Sequence, residues 1–284
     1  MDIRTVSELL AKLNISCAVF SVEPFCSEED NAAYSVWKII TDREPLVVKK
    51  VSKNEQAIYE TFFKDGGPVP SVYGFNGGYM VMECVEGHAL SRCTREELTL
   101  ALDRLIEIQR KYWDCKIHQT VDDQFASYYE NRARRLAYME DLKDCYQAYL
   151  DEFRTLPRTL CNDDLLPFNV IISGGRAVIL DWEFAGILPY PCSIARLLAY
   201  GEEGDGALFR MKHEDRIFAV TYYYENLIRQ MGIPYEEYLR TLRLCFFKEY
   251  SEWIYTANSS GDRSGDYYRK YGAMARKVAK ELGF

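Results

Sequence analysis

The stretch Thr159–Gly186, TLCNDDLLPFNVIISGGRAVILDWEFAG, decides how the rest of the chain is read. Two short apolar runs, Asn169–Ile172 and Ala177–Leu180, flank Ser173-Gly174-Gly175-Arg176. Val, Ile and Leu on either side of a Gly-Gly turn predict a β-hairpin. Asp163 and Asp164 precede the first run, Asn169 opens it, and Asp181 follows the second. A hairpin joining these ends brings Asp164, Asn169 and Asp181 to one side of a ribbon. Three oxygen-bearing side chains at strand ends, with no Cys or His beside them in ligand spacing, suit a hard cation such as Mg²⁺.

The spacing is specific. Asp164-Leu165-Leu166-Pro167-Phe168-Asn169, followed by Asp181-Trp182-Glu183-Phe184-Ala185-Gly186, resembles the catalytic and metal-binding loops of the aminoglycoside phosphotransferase and choline kinase superfamily. It is less similar to protein kinases, which carry Asp-Phe-Gly at the second site. The resemblance implies an α+β, bilobal, protein-kinase-like fold. A small antiparallel-sheet lobe with one main helix (residues 1–85) would bind nucleotide, and a larger, mostly helical lobe (residues 86–284) would carry the catalytic hairpin and the acceptor site. It also implies roles. Asp164 would orient an acceptor hydroxyl and accept its proton, with Asn169 beside it, and Asn169 and Asp181 would hold Mg²⁺ against the phosphates of ATP or GTP.

Composition bounds the alternatives. The chain has 284 residues, 48% of them apolar, enough for two lobes around a cleft. A net charge of −8 argues against a nucleic-acid surface, which needs clustered Lys and Arg. Nine scattered cysteines without a C-x-x-C pair, and an N-terminus that does not read as a signal peptide, predict reduced thiols in a cytoplasmic protein. The three histidines lie far apart, against a zinc site, and no apolar run reaches the roughly 20 residues of a membrane span.

Upstream, Thr5–Lys12 reads as a helix, and Ala18–Val22 and Tyr34–Ile40 read as strands. The turn between them matches the family's phosphate-covering loop, for which Ser27 and Asn31 are candidates. Glu28, Glu29 and Asp30 stand there in place of glycines, and their charge would weaken nucleotide binding unless directed to solvent. In Leu46–Val51 alternation puts Val47, Lys49 and Val51 on one face, and the resemblance makes Lys49 the residue that anchors the α/β-phosphates. Asn54–Lys64 reads as a helix with Glu55, Ile58, Tyr59 and Phe62 on one face. A Glu on an apolar face needs a partner, which Lys49 would supply; the alternative is that Glu55 only opens the helix at its positive end. Glu60 is the weaker partner. Ser71–Phe75 and Tyr79–Val85 read as strands, and by resemblance the backbone of Glu83–Val85 would meet the nucleobase.

Downstream, Thr94-Arg95-Glu96-Glu97 fits a helix-capping box, and Asp122–Phe153 reads as a long helical region. Two positions depart from the family. Asn162 stands where relatives have His and is expected to imitate its backbone hydrogen bonds. Ser193 stands where relatives have an Asp that steadies the loop, which predicts a less rigid loop. Asp163 is expected to cap the turn, the alternative being that it raises the pKa of its neighbour Asp164. The tail is helical and aromatic-rich, with Glu249 and Glu252 among Tyr222–Tyr224, Phe246, Phe247, Tyr250, Trp253 and Tyr255; carboxylates and rings together suit a cationic ligand, and core packing is the alternative. The expected function is a small-molecule kinase whose acceptor is an aminoglycoside, a choline- or ethanolamine-like amino alcohol, or a sugar. The alternative is a catalytically weak or inactive kinase-fold module that binds ligand or regulates.

Overall fold

The computed structural model describes residues 1–26, 33–91, 93–116, 138–204, 207, 209–261 and 265–284. The candidate loop at Ser27–Asn31 lies outside these, as does the part of the expected helical region before residue 138.

The chain opens with helix α1 (Ile3–Lys12), capped by the Asp2 carboxylate, which accepts from the Thr5 N–H at 2.7 Å. Its buried residues Val6, Leu9 and Leu10 recur at helical spacing. They pack on one face of a five-stranded antiparallel sheet of order β1-β2-β3-β5-β4, formed by β1 (Val19–Cys26), β2 (Ala33–Thr41), β3 (Leu46–Lys50), β4 (Val72–Asn76) and β5 (Tyr79–Glu83). Strand alternation divides β3 between two cores. Val48 joins the α1 side, and Val47 joins the opposite face with Ile58, Tyr59, Phe62, Met80 and Met82. The second set comes partly from helix α2 (Lys53–Phe62), which Ser52 caps by accepting from the Glu55 N–H at 3.1 Å. Glu55 therefore lies on the buried face of α2, directed at β3.

Beyond Glu83 the chain leaves the sheet. A short strand, β6 (His88–Ala89), joins the predicted hairpin, β8 (Val170–Ser173) and β9 (Arg176–Ile179), in the order β6-β8-β9. The hairpin turn has φ +55° at Gly174 and +79° at Gly175, the left-handed pair that a two-residue turn of this hand needs. Gly87 brings the connection against β8: a Cβ there would meet the Ile172 carbonyl oxygen at 2.2 Å. Helix α3 (Arg95–Lys111) is capped by Thr94, which accepts from the Glu97 N–H at 3.4 Å.

A second, two-stranded antiparallel sheet pairs β7 (Arg158–Asn162) with β10 (Ala185–Pro189), setting Asn162 opposite Ala185. These strands were not expected from the sequence. Helix α4 (Lys143–Thr155) precedes β7, and α5 (Cys192–Leu198) follows β10. Then come a parallel pair, β11 (Gly201–Glu202) with β12 (Phe209–Arg210), and helices α6 (His213–Tyr223), α7 (Tyr235–Ser260) and α8 (Asp266–Glu281). Pro234 is the N-cap residue of α7. The tail aromatics Tyr223, Phe247 and Tyr250 are buried, so core packing accounts for them. No described helix is long and apolar enough to cross a membrane.

Candidate active site

Two segments far apart in sequence meet at Lys49. Its Nζ lies 2.7 Å from Glu55 Oε1 and 2.9 Å from Asp181 Oδ1, a separation of 132 positions in the second case. Burial works against the Lys49 charge, but the two carboxylates overcome it and hold its pKa above the usual value. Glu55 is 1% exposed, and burial pushes its pKa up to about 6 against the pull of Lys49. Its second oxygen, Oε2, is buried without a hydrogen-bond partner among the described residues, as is the Tyr59 hydroxyl one helical turn on. Glu60 instead accepts from Gln56 at 2.8 Å on the exposed side of α2. The same helix reaches the metal-loop segment directly, where the Asn54 side chain donates to the carbonyls of Glu183 (2.8 Å) and Ala185 (3.0 Å).

The hairpin brings Asp164, Asn169 and Asp181 together. Asn169 Nδ2 donates to the Asp164 carbonyl at 2.8 Å and approaches Asp164 Oδ2 at 3.4 Å, while the Leu180 N–H donates to the Asn169 carbonyl at 2.8 Å. Asp181 adopts φ +53°, a left-handed conformation that few side chains take and that Asp tolerates better than most. Asn162 ties both loops. Its Oδ1 accepts from the Asp164 N–H at 2.9 Å, and its Nδ2 donates to the carbonyls of Leu180 (3.2 Å) and Asp181 (2.9 Å). Ser193 is fully buried and clasps the Asn162 backbone: its Oγ accepts from the N–H at 2.9 Å and donates to the carbonyl at 3.1 Å. The expected loosening of the loop is therefore met by a hydroxyl that serves as both donor and acceptor.

Behind the loop lies a group of charges that the sequence did not disclose. Arg196 Nη2 lies 2.7 Å from Asp164 Oδ1, and its Nη1 lies 2.8 Å from Glu249 Oε2. Lys248 lies 2.8 Å from Glu249 Oε1 and 3.1 Å from Asp163 Oδ2. Because Asp163 and Asp164 are adjacent, the five residues close a ring. Asp163 thus pairs with a buried lysine from α7, a partner that the sequence did not indicate. Glu249 also departs from expectation, since both of its oxygens are engaged inside the protein rather than presented to a cationic ligand. Burial opposes its charge, but Lys248 and Arg196 hold its pKa down to about 2. Asp164 moves the other way: burial raises its pKa, with Arg196 opposing. One sequence signal was available. Arg196 in Cys192-Ser193-Ile194-Ala195-Arg196-Leu197-Leu198 and Lys248 in Phe246-Phe247-Lys248 are cations in apolar runs, and buried cations need partners.

The remaining candidates are placed as follows. Glu83 ends β5; its N–H donates to the Ser71 carbonyl at 2.9 Å, and its carboxylate accepts from the Ser71 N–H at 3.1 Å. Val85 follows in the half-buried connection to β6. Ser27 is outside the described residues. For Mg²⁺ the chemistry of the donor set fits. Asn169 directs its amide nitrogen at Asp164, which leaves its carbonyl oxygen for a cation, and the Asp181 side chain is 38% exposed. A hard ion that retains water and phosphate ligands needs only one or two protein oxygens. No group of three or more His, Cys, Asp or Glu among the described residues forms a metal site.

Residues 21–223 match the model of the phosphotransferase enzyme family, and the chain belongs to that family. No curated protein matches it. Its fold is shared with solved kinases of low identity. Choline kinase LicA from Streptococcus pneumoniae, in complex with AMP, is 17% identical, with a TM-score of 0.64 over 99% of this chain and 98% of that one. Choline kinase from Cryptosporidium parvum Iowa II is 11% identical, with a TM-score of 0.66 over 99% and 96%. A thermostable mutant of aminoglycoside phosphotransferase APH(4)-Ia, in ternary complex with ADP and hygromycin B, is 14% identical, with a TM-score of 0.60 over 98% of each chain. The architecture is thus the mixed α+β, protein-kinase-like fold of choline kinases and aminoglycoside phosphotransferases, with an antiparallel N-terminal sheet and a helical C-terminal part.

Proposed function

We propose that the chain is a small-molecule kinase that transfers the γ-phosphoryl of ATP or GTP to a hydroxyl of a small acceptor. The observation that carries this is the Lys49 ammonium held between Glu55 and Asp181, beside Asp164 and Asn169. A cation braced by two carboxylates at the foot of a sheet is arranged to receive phosphate oxygens. Nucleotide would lie between residues 1–85 and 86–284, with its base at the Glu83–Val85 backbone. Asn169 and Asp181 would hold Mg²⁺, which supplies neutralisation of phosphate charge when bound. Asp164 orients the acceptor. As the hydroxyl oxygen bonds to the γ-phosphorus, the bond to the β-phosphate oxygen breaks, the diphosphate leaves with that electron pair, and the hydroxyl proton passes to Asp164. Positioning and charge account for the catalysis, since the loose transition state needs little covalent assistance.

AMP and ADP in complexes of the structural relatives support nucleotide binding, and the choline kinases and the hygromycin B complex among those relatives bracket the acceptor class without choosing within it. The acidic stretch Glu28–Asp30, Asn162 and Ser193 motivate the alternative of a binding module without turnover; of these, Asn162 and Ser193 make close loop contacts, which supports turnover. The test is a panel of amino alcohols, sugars and aminoglycosides scored by diphosphate formation with ATP or GTP. Wild type should turn over at least one acceptor. Asp164→Ala should lose transfer while retaining the thermal shift produced by nucleotide with Mg²⁺. Full turnover by Asp164→Ala, or a wild type with no nucleotide-induced shift, would overturn the assignment.

A further inference from the structure

Asp164 has two oxygens, and the protein treats them differently. Oδ1 receives a charged hydrogen bond from Arg196 Nη2 at 2.7 Å. Oδ2 has the Asn169 amide at 3.4 Å, the far edge of hydrogen-bonding range. Arg196 is itself anchored. Its Nη1 meets Glu249 Oε2 at 2.8 Å and lies 3.5 Å from the Tyr200 hydroxyl, which in turn donates to the Glu249 carbonyl at 2.9 Å. Glu249 is 1% exposed and is gripped from its other oxygen by Lys248. The guanidinium is planar and bonds in a fixed fork, so a fixed Glu249 sets the direction from which Arg196 meets Asp164. Ser193 and Arg196 are three apart on α5 and share a face. One clasps the main chain of the loop at Asn162, and the other clasps the side chain of Asp164.

We propose that Arg196 is a positioning residue for phosphoryl transfer: by bridging buried Glu249 to Asp164 Oδ1, it orients the carboxylate so that Oδ2 meets the acceptor hydroxyl and takes its proton. This rests on the kinase assignment above. A carboxylate free to rotate would present either oxygen over a range of angles, and reaction geometry tolerates little of that, since a misplacement of about 1 Å costs about 100-fold. Arg196 touches neither nucleotide nor acceptor in this role, so its loss should appear in kcat and leave both KM values alone.

The experiment is steady-state kinetics with ATP, Mg²⁺ and whichever acceptor the panel returns. Arg196→Met should lower kcat about 100-fold, with both KM values within about twofold. Arg196→Lys, a point charge that cannot span both carboxylates, should recover part of that loss. Glu249→Gln should lower kcat in the same way, although Glu249 does not contact Asp164. Adding Arg196→Met to Asp164→Ala should change the residual rate by less than about twofold, because the arginine would have nothing left to orient. An unchanged kcat in Arg196→Met would overturn the proposal, as would a loss of the same size in the Asp164→Ala background. Should Arg196→Met fail to fold, Arg196→Lys and Glu249→Gln carry the test, and wild-type kcat in both would overturn it. A wild type that turns over no acceptor fails the kinase assignment before any variant is made, and this proposal falls with it.

Discussion

Glu55→Gln separates two demands that the structure places on one side chain. Glu55 is needed as an anion to brace Lys49, yet it is 1% exposed and one of its oxygens has no partner among the described residues. Its pKa is pushed up from the usual 4.5 to about 6, so the folded protein holds the Glu55 proton more tightly than the unfolded chain does. The resulting stability is complete below the unfolded value and is lost as the pH rises through the folded one. A rise of that size corresponds to about 2 kcal/mol. Glutamine has nearly the same shape and does not titrate, so it removes this dependence. Urea unfolding of both proteins at about pH 4.5 and about pH 7.5 should show Glu55→Gln gaining about 2 kcal/mol relative to wild type at the higher pH. The same variant should bind nucleotide more weakly at neutral pH, because Lys49 keeps only Asp181. A stability difference that does not change with pH, or one that moves against the variant as pH rises, would refute the reasoning.

Other perturbations test the surrounding structure. Lys248→Met leaves Asp163 and Glu249 buried without their shared cation and should cost about 3–5 kcal/mol in urea unfolding. Ser193→Ala removes both bonds to the Asn162 backbone and should cost about 1–3 kcal/mol, with a loss of kcat that exceeds any change in nucleotide affinity. Asp181→Asn should abolish the Mg²⁺-dependent part of the nucleotide-induced thermal shift. Lys49→Met should weaken nucleotide binding with or without Mg²⁺, which calorimetry would distinguish.

The parts of the site that were legible in sequence are those whose physics is local. Gly174-Gly175 specifies a left-handed turn by itself, and a two-residue turn fixes which strand ends meet, so the hairpin and the nearness of Asp164, Asn169 and Asp181 follow. Alternation along β3 and the helical period of α2 put Lys49 and Glu55 on inward faces before any contact was known. What could not be read was set by distant partners. Asp163 looks like a turn residue until Lys248, 85 positions away, arrives beside it. Arg196 shows that it needs an anion without saying which, and Glu249 lies 53 positions on. The β7–β10 pair was missed for a similar reason. Gly186 and Pro189 are local breakers, but pairing with β7 and complete burial override that tendency.

The closed circuit of Asp163, Lys248, Glu249, Arg196 and Asp164 also constrains how this gene can drift. A lone replacement at position 248 or 249 strands an ion in the interior, whereas simultaneous neutral replacements could be tolerated. Functional variants should therefore differ at 163 with 248 as a matched pair, while 196 and 249 stay fixed, and single changes at these positions should be scarce. Selection for a new acceptor would then act first on the cleft rim, leaving this inner scaffold as inherited.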